Sequence, residues 1–366
     1  MEVLNPLHNP LSDLTLARLL ASLQDIAQHV QIEPNFCIRH PSYQPLETPV
    51  EVTERFQRLP MELQHKYLSL QLRSFLYGIY YNGSLRETLA PNAHADTLKL
   101  SQNLENNTFL GVDLAFYERL HLSNCGQGYF DPEWQVLRQE RDGSLVVNKR
   151  GLTLHIERDR HLSPESKTAT IGDFVAIRLP CNRVQNGFYV AVGNLIKQQP
   201  VIVRIYFNLT PAGAIAVMAS LTRHLNDNAV PFDFKVLYNP SDYNRYDSGV
   251  LYFEKSDYES VRSMLQGIYI EHRADFKEQI PLFTKQLAPG LGLAEEPDQK
   301  FSDYESFGLN RCQVIANGLL EAWQQGNDSP DSRMASILQH FSLMGLELQR
   351  CYLNANSEDI YTPLDL

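Results

Sequence analysis

The chain has 366 residues, 43% of them hydrophobic and 20% charged, and a formal net charge of −11. This is the composition of an ordinary globular protein too long for one small core, so two lobes, or one domain with a large helical extension, are expected. The acidic balance argues against a general nucleic-acid binder, whose affinity for a phosphate backbone needs a basic surface.

In chain order, the first 130 residues read as a helical lobe. Leu14 to Val30 carries apolar residues three and four apart, and a second helix starts after Pro60 and runs through an aromatic-rich stripe to FLYGIYYNGS. Phe75, Tyr77, Tyr80 and Tyr81 in that stripe are expected to pack in the core with one wet edge. From Trp134 the pattern shortens to alternating runs, with Asp142-Gly143 marking a hairpin between WQVLRQE and SLVVNK, followed by LTLHIE. DFVAIRLP and GFYVAVGN are expected to form a further strand pair around Pro180 to Asn186. VIVRIYFNL (201–209) is a half-buried strand, and Thr210 and Pro211 cap the helix that follows it. Strands FDFKVLY (232–238) and GVLYFE (249–254) come next, then a helix opened by a capping box of Ser256 and Glu259. Pro281 to Pro297 reads as a loop, and helices over Tyr304–Gln325 and Ser332–Leu353 close the chain. Helices followed by a mainly antiparallel sheet with flanking helices predict an α+β fold, divided at residues 1–130 and 131–366.

The five cysteines (Cys37, Cys125, Cys181, Cys312 and Cys351) are odd in number and include no CxxC pair, as expected of reduced thiols in a cytoplasmic protein. No apolar run approaches the roughly 18 residues needed to cross a membrane. A phosphate loop, a GxGxxG turn, HExxH and GxSxG are all missing, and no histidine stands at metal-ligand spacing from another histidine or a cysteine.

The strand at 201–209 sorts its residues into two chemistries. Val203, Ile205, Phe207 and Leu209 form an apolar wall, while Arg204, Tyr206 and Asn208 form a polar row on the other face. Between Gly172 and Lys255 eight Lys or Arg stand against six Asp or Glu, so this stretch is locally basic within an acidic protein. Arg204, Tyr206, Lys235, Arg245, Tyr252 and Arg311 therefore form a candidate set for gripping an anion such as phosphate. The competing reading makes them strand ends paired with Asp233, Asp242 and Asp247.

The segments YFNLTPAGAIAVMASLTRHLN, PFDFKVLYNPSDYNRYDSGVLYFEK and ESFGLNRCQVIANGLLEAW, with FLYGIYYNGS and QNGFYVAVGN, resemble the HopA family of bacterial type III secretion effectors and its non-pathogen relatives. Several such relatives are similar to lyases of lanthipeptide-type peptide biosynthesis, in which a kinase partner phosphorylates a precursor peptide and the lyase removes phosphate to leave a dehydroamino acid. More distantly, the order of strands and helices resembles the effector phosphothreonine lyases. The resemblance implies Lys235, Arg245 and, more loosely, Arg311 as phosphate or carbonyl contacts, with Tyr252 at a matching strand position. It calls for no metal and no cofactor. The phosphothreonine lyases carry a Lys-x-His pair where this chain has Arg204 and Tyr206. Arginine stays protonated and makes a poor base. Arg204 is therefore assigned to phosphate, Tyr206 to the acid, and Lys235 to the base, with Asn208 and Tyr252 in support.

Three functions are expected from this reading. The first is a phosphoserine or phosphothreonine lyase acting on a kinase-modified peptide, and the second is a phosphopeptide-binding member without catalysis. The third, a secreted effector that disrupts a host complex, is disfavoured by a chain that enters an amphipathic helix by Leu14 rather than a flexible Ser-rich segment.

Overall fold

The computed structural model describes residues 10–33, 35–93, 111–198 and 201–366. The helical part begins with α1 (Pro10–His29), followed by a small antiparallel sheet of β1 (Gln31–Ile32), β2 (Ile38–His40) and β3 (Tyr43–Leu46) that periodicity did not reveal. Then come α2 (Val50–Gln57), α3 (Met61–Leu76), a π-helical turn at Tyr77–Tyr81, and α4 (Leu114–Ser123). Phe75, Tyr77, Tyr80 and Tyr81 are all buried, as the aromatic stripe predicts.

Two sheets follow, and their membership corrects the expected strand pair. β4 (Tyr129–Gln139), β5 (Leu145–Lys149), β6 (Leu152–Ile156) and β7 (Phe174–Leu179) form a four-stranded sheet in the order β6-β5-β4-β7, with the short helix α5 (Arg158–His161) between β6 and β7. It has its own core around Trp134, Val136, Leu145, Val147 and Ile177. DFVAIRLP therefore pairs with β4, whereas β9 (Phe188–Val192) pairs with β8 (Asn182–Gln185) and β11 (Phe232–Leu237). Pro180 sits where the chain leaves one sheet for the other; adjacency in sequence was mistaken for adjacency in space.

The second sheet has seven strands in the order β13-β14-β10-β12-β11-β9-β8, every pair antiparallel. It is built from β8, β9, β10 (Ile202–Phe207), β11 (Phe232–Leu237), β12 (Gly249–Glu254), β13 (Lys285–Ala288) and β14 (Leu291–Glu295). The last two are a hairpin where a loop was expected. Their strands are short, but Gly290 adopts φ +73° and closes the turn, and β14 pairs along β10.

Helix α6 (Pro211–Asp227) starts as predicted, with the Thr210 side chain accepting a hydrogen bond from Gly213 N–H and Pro211 in the first turn. It packs against β11 and α7 (Tyr258–Glu271). The expected box at the start of α7 does not form: the helix begins after Asp257 with no side-chain cap. Helix α8 (Phe307–Gln324) is nearly all buried, between α3 and α9 (Pro330–Leu343). Where α8 meets α9, a Cβ on Gly318 would lie 2.7 Å from the Ile337 Cα, a backbone atom that cannot swing aside. Gly318→Ala is therefore expected to cost about 1–3 kcal/mol by forcing the helices apart, measured as a lowered urea midpoint.

Strand β10 also differs from expectation, because Val203 to Phe207 are buried on both faces rather than one. Val203, Ile205 and Phe207 lie in the main core. The polar face is covered by the π-helical turn and the start of α8, with Tyr81 and Phe307 each 6.3 Å from the Tyr206 ring.

Candidate functional site

Sheet register decides which side chains meet. Across β10 and β12, Arg204 opposes Tyr252 and Tyr206 opposes Val250; across β12 and β11, Tyr252 opposes Asp233 and Val250 opposes Lys235. Directly opposed residues share a face, so Arg204, Tyr206, Lys235 and Tyr252 all project to the same side. Two rings tie the cations together. The Tyr252 ring lies 5.0 Å from Arg204 Cζ and 5.5 Å from Lys235 Nζ, and the Phe188 ring lies 4.5 Å from Lys235 Nζ and 6.0 Å from Arg245 Cζ.

These residues line a two-part cleft. The inner pocket, about 20 Å³, is lined by Tyr77, Tyr81, Phe188, Arg204, Tyr206, Lys235, Arg245, Asp247, Tyr252 and Ser306. It opens into an outer cleft of about 530 Å³, and Arg204, Lys235, Tyr252 and Ser306 line both parts. The inner volume suits one water-sized group. Any larger group would therefore sit at its mouth, where those four residues meet.

The three cations differ in how far they are engaged. Arg245 is buried at the back, its Nε 2.5 Å from Asp247 Oδ1 and its Nη2 2.8 Å from Oδ2; Tyr77 Oη donates to the same carboxylate. Arg204 is bonded to Glu296 through Nε and Nη2. Burial opposes its charge, but Tyr252, Tyr206 and Glu296 outweigh that and hold the guanidinium above its ordinary value. Lys235 is half-buried and, among the described residues, has neither a hydrogen bond nor an ion pair; its contacts are the two rings. Asp233, the carboxylate expected beside it, instead binds Arg183 and Lys197.

Tyr206 is buried against Tyr81, and its hydroxyl has no hydrogen-bond partner among the described residues. Burial raises the phenol well above its ordinary value, with Arg204 pulling the other way, so it stays protonated and able to donate.

Two candidates lie elsewhere. Arg311 does not line the cleft: its guanidinium donates to Cys351 O, Leu353 O and Asn310 Oδ1 and stacks on Phe307, pinning the chain after α9 to α8. Burial pushes its pKa down to about 10. On a helix its direction could not be read from strand alternation. Asn208 is buried beyond the end of β10, donating to Gln279 O 2.9 Å away, and organises the neighbouring loop.

Ser306 escaped the sequence reading. It caps α8 by accepting from Leu309 N–H, which sets the positive end of an 18-residue helix beside the two arginines and Lys235. The signal was present as Ser306 immediately before the helical run FGLNRCQ. Gly308 permits the fit, because a Cβ there would lie 2.3 Å from the Tyr81 ring.

The model of the HopA1 effector protein family matches residues 179–353. This stretch is similar to the HopA1 effector family. Two solved structures are similar to the chain. An effector protein from Pseudomonas syringae pv. tomato strain DC3000 is 18% identical, with a TM-score of 0.43, covering 78% of this chain and 90% of that one. An effector protein from Pseudomonas syringae pv. syringae strain 61 is 12% identical, with a TM-score of 0.45, covering 93% and 98%. No curated protein matches the chain.

The HopA1 region contains Arg204, Tyr206, Lys235, Arg245, Tyr252 and Ser306, while Tyr77 and Tyr81, which close the inner pocket, come from outside it. No helix among the described residues is long and apolar enough to cross a membrane.

Outside the HopA1 region the fold gathers Asp25, His29 and His40, a proximity that spacing did not suggest. Ser42 N–H donates to His40 Nδ1, 3.1 Å away. The neutral ring therefore carries its proton on Nε2, which points an N–H and no lone pair at Asp25 Oδ2, 3.4 Å distant. This suits a polar joint better than a cation site. Burial lowers the His40 pKa, with Asp25 opposing. Below the unfolded value of about 6.5 the unfolded chain binds the proton more readily, so stability falls with pH from there down to the folded pKa. Wild type is expected to lose urea resistance more steeply than His40→Gln as the pH falls below about 6.5.

Proposed function

We propose that the cleft takes the phosphate of a phosphoserine or phosphothreonine side chain in a kinase-modified peptide and removes it by β-elimination, leaving a dehydroamino acid. The carrying observation is Lys235, a lysine without a carboxylate among the described residues, set between two arginines at the mouth of a closed pocket.

The reaction distributes over the residues present. Arg204 and the α8 N-terminus hold the phosphate, and Arg245, clamped by Asp247, adds positive potential from behind. Lys235 Nζ takes the Cα proton, the C–H electron pair becomes the Cα=Cβ bond, and the Cβ–O bond breaks. The departing phosphate oxygen receives the Tyr206 proton. The family description supplies the coarser setting of an effector-type protein. The peptide belongs to a target protein or to a precursor made beside a partner kinase, and cytoplasmic action fits both.

A second reading, binding without elimination, is favoured by one observation: Glu296 already engages Arg204. Incubation of a phosphothreonine peptide with the protein, followed by mass spectrometry, separates the two. Loss of the elements of phosphoric acid is expected. An intact peptide that still binds would establish the second reading, and an intact peptide that does not bind would remove both.

A further inference from the structure

Away from the cleft, α1, the loop leading into β13 and the chain after α9 enclose a second cavity of about 170 Å³. Its wall is mostly apolar, built from side chains such as Leu19, Ile280, Leu282, Phe283, Leu348 and Tyr352. An apolar cavity of about 150 Å³ accepts a benzene-sized guest, so this one has room for a single ring or a short alkyl chain. Phe283 is held at φ +72°, a costly conformation for a bulky residue, and the Cys351 thiol donates to its carbonyl. Its ring stacks on Tyr81, 6.4 Å away, so the cavity backs onto the cleft without sharing a lining residue with it.

The wall also carries a positive charge that no described carboxylate answers. Arg18 is half-buried there; its Nη2 donates to Ile280 O, 2.9 Å away, and it has no ion pair among the described residues. Arg86 lies near enough to weigh against that charge, and it too donates only to a carbonyl, Ile79 O, and has no ion pair among the described residues. The other cation of the wall, Lys285, is already held by both oxygens of Asp359. The cavity is thus apolar in its body and cationic at one point.

We propose that this cavity binds a small carboxylic acid whose apolar body, one ring or a short alkyl chain, fills the space while its carboxylate accepts from Arg18. The apolar lining supplies the affinity for the body, and the guanidinium, whose remaining N–H groups have no protein acceptor among the described residues, supplies orientation and selects the acid. An uncharged guest of the same shape would fill the cavity and leave Arg18 without a counter-charge. Leu14, 65% exposed, marks the entrance. The site is independent of the phosphate cleft and of the reaction proposed there.

The test is isothermal titration of the full chain with phenylacetate, its uncharged counterpart phenylacetamide, and acetate. Phenylacetate is expected to bind about tenfold tighter than either, because the amide keeps the ring without the charge and acetate keeps the charge without the ring. Arg18→Met retains an apolar stem and should bring phenylacetate down to the affinity of the amide. Leu14→Glu, at an exposed position that tolerates substitution, should weaken phenylacetate about threefold by like charge at the entrance while leaving the amide unchanged. Equal affinities for acid and amide in wild type would overturn the carboxylate assignment. Phenylacetate binding unchanged in both variants would place the ligand elsewhere, and binding of neither ring compound would overturn the site.

Discussion

Lys235→Ala is expected to lower kcat/KM for phosphate elimination at least about a hundredfold, the usual scale for loss of a positioned base. Its urea stability should stay within about 0.5 kcal/mol of wild type, since the side chain is half-buried and makes no ion pair among the described residues. Lys235→Arg sharpens the test. Arginine keeps the cation and stays protonated, so this variant should bind phosphopeptide near wild-type affinity yet eliminate no faster than the alanine variant. Restored turnover in Lys235→Arg would assign Lys235 to phosphate binding and leave the base unidentified. Stopped assays by mass spectrometry give the rates, and anisotropy gives the affinities.

Asp247→Ala carries the largest expected effect on stability. It removes the carboxylate that binds Arg245 through two nitrogens, a guanidinium whose side chain is 1% exposed and which lies in the core beside Tyr77 and Tyr81. Removing one member of a buried ion pair costs about 3–5 kcal/mol, more than the pair itself contributes, because the remaining buried charge loses its counter-charge. Burial would lower the Arg245 pKa, but Asp247 outweighs it and holds it above the ordinary value. Asp247→Asn, which keeps the shape and one acceptor, should lose less than the alanine variant in urea unfolding.

Much of the α+β architecture was legible because alternation and helical spacing are local signals. The 201–209 stretch showed its two faces, and Thr210-Pro211 showed where the strand gives way to a helix. The pairing of Arg204, Lys235 and Tyr252 on one face followed from parity within each strand once the strands were neighbours. What sequence could not convey was which strands are neighbours. DFVAIRLP and GFYVAVGN parted into two sheets, and the β13–β14 hairpin, four and five residues a strand, was too short for periodicity to register. The same gap explains the site. Arg311 looked like another cation, but its helix turns it toward the backbone of Cys351 and Leu353. Ser306, an unremarked polar residue before a helix, reaches the mouth of the pocket because α8 begins there.

The most direct test of the account is isothermal titration of the wild-type protein with one phosphothreonine peptide and its unphosphorylated twin, repeated with Arg204→Ala and Lys235→Met. Binding is expected to require the phosphate, to weaken with salt, to be lost or severely reduced in Arg204→Ala and to fall less in Lys235→Met. Equal binding of the two peptides, or phosphate-dependent binding untouched by either substitution, would contradict it.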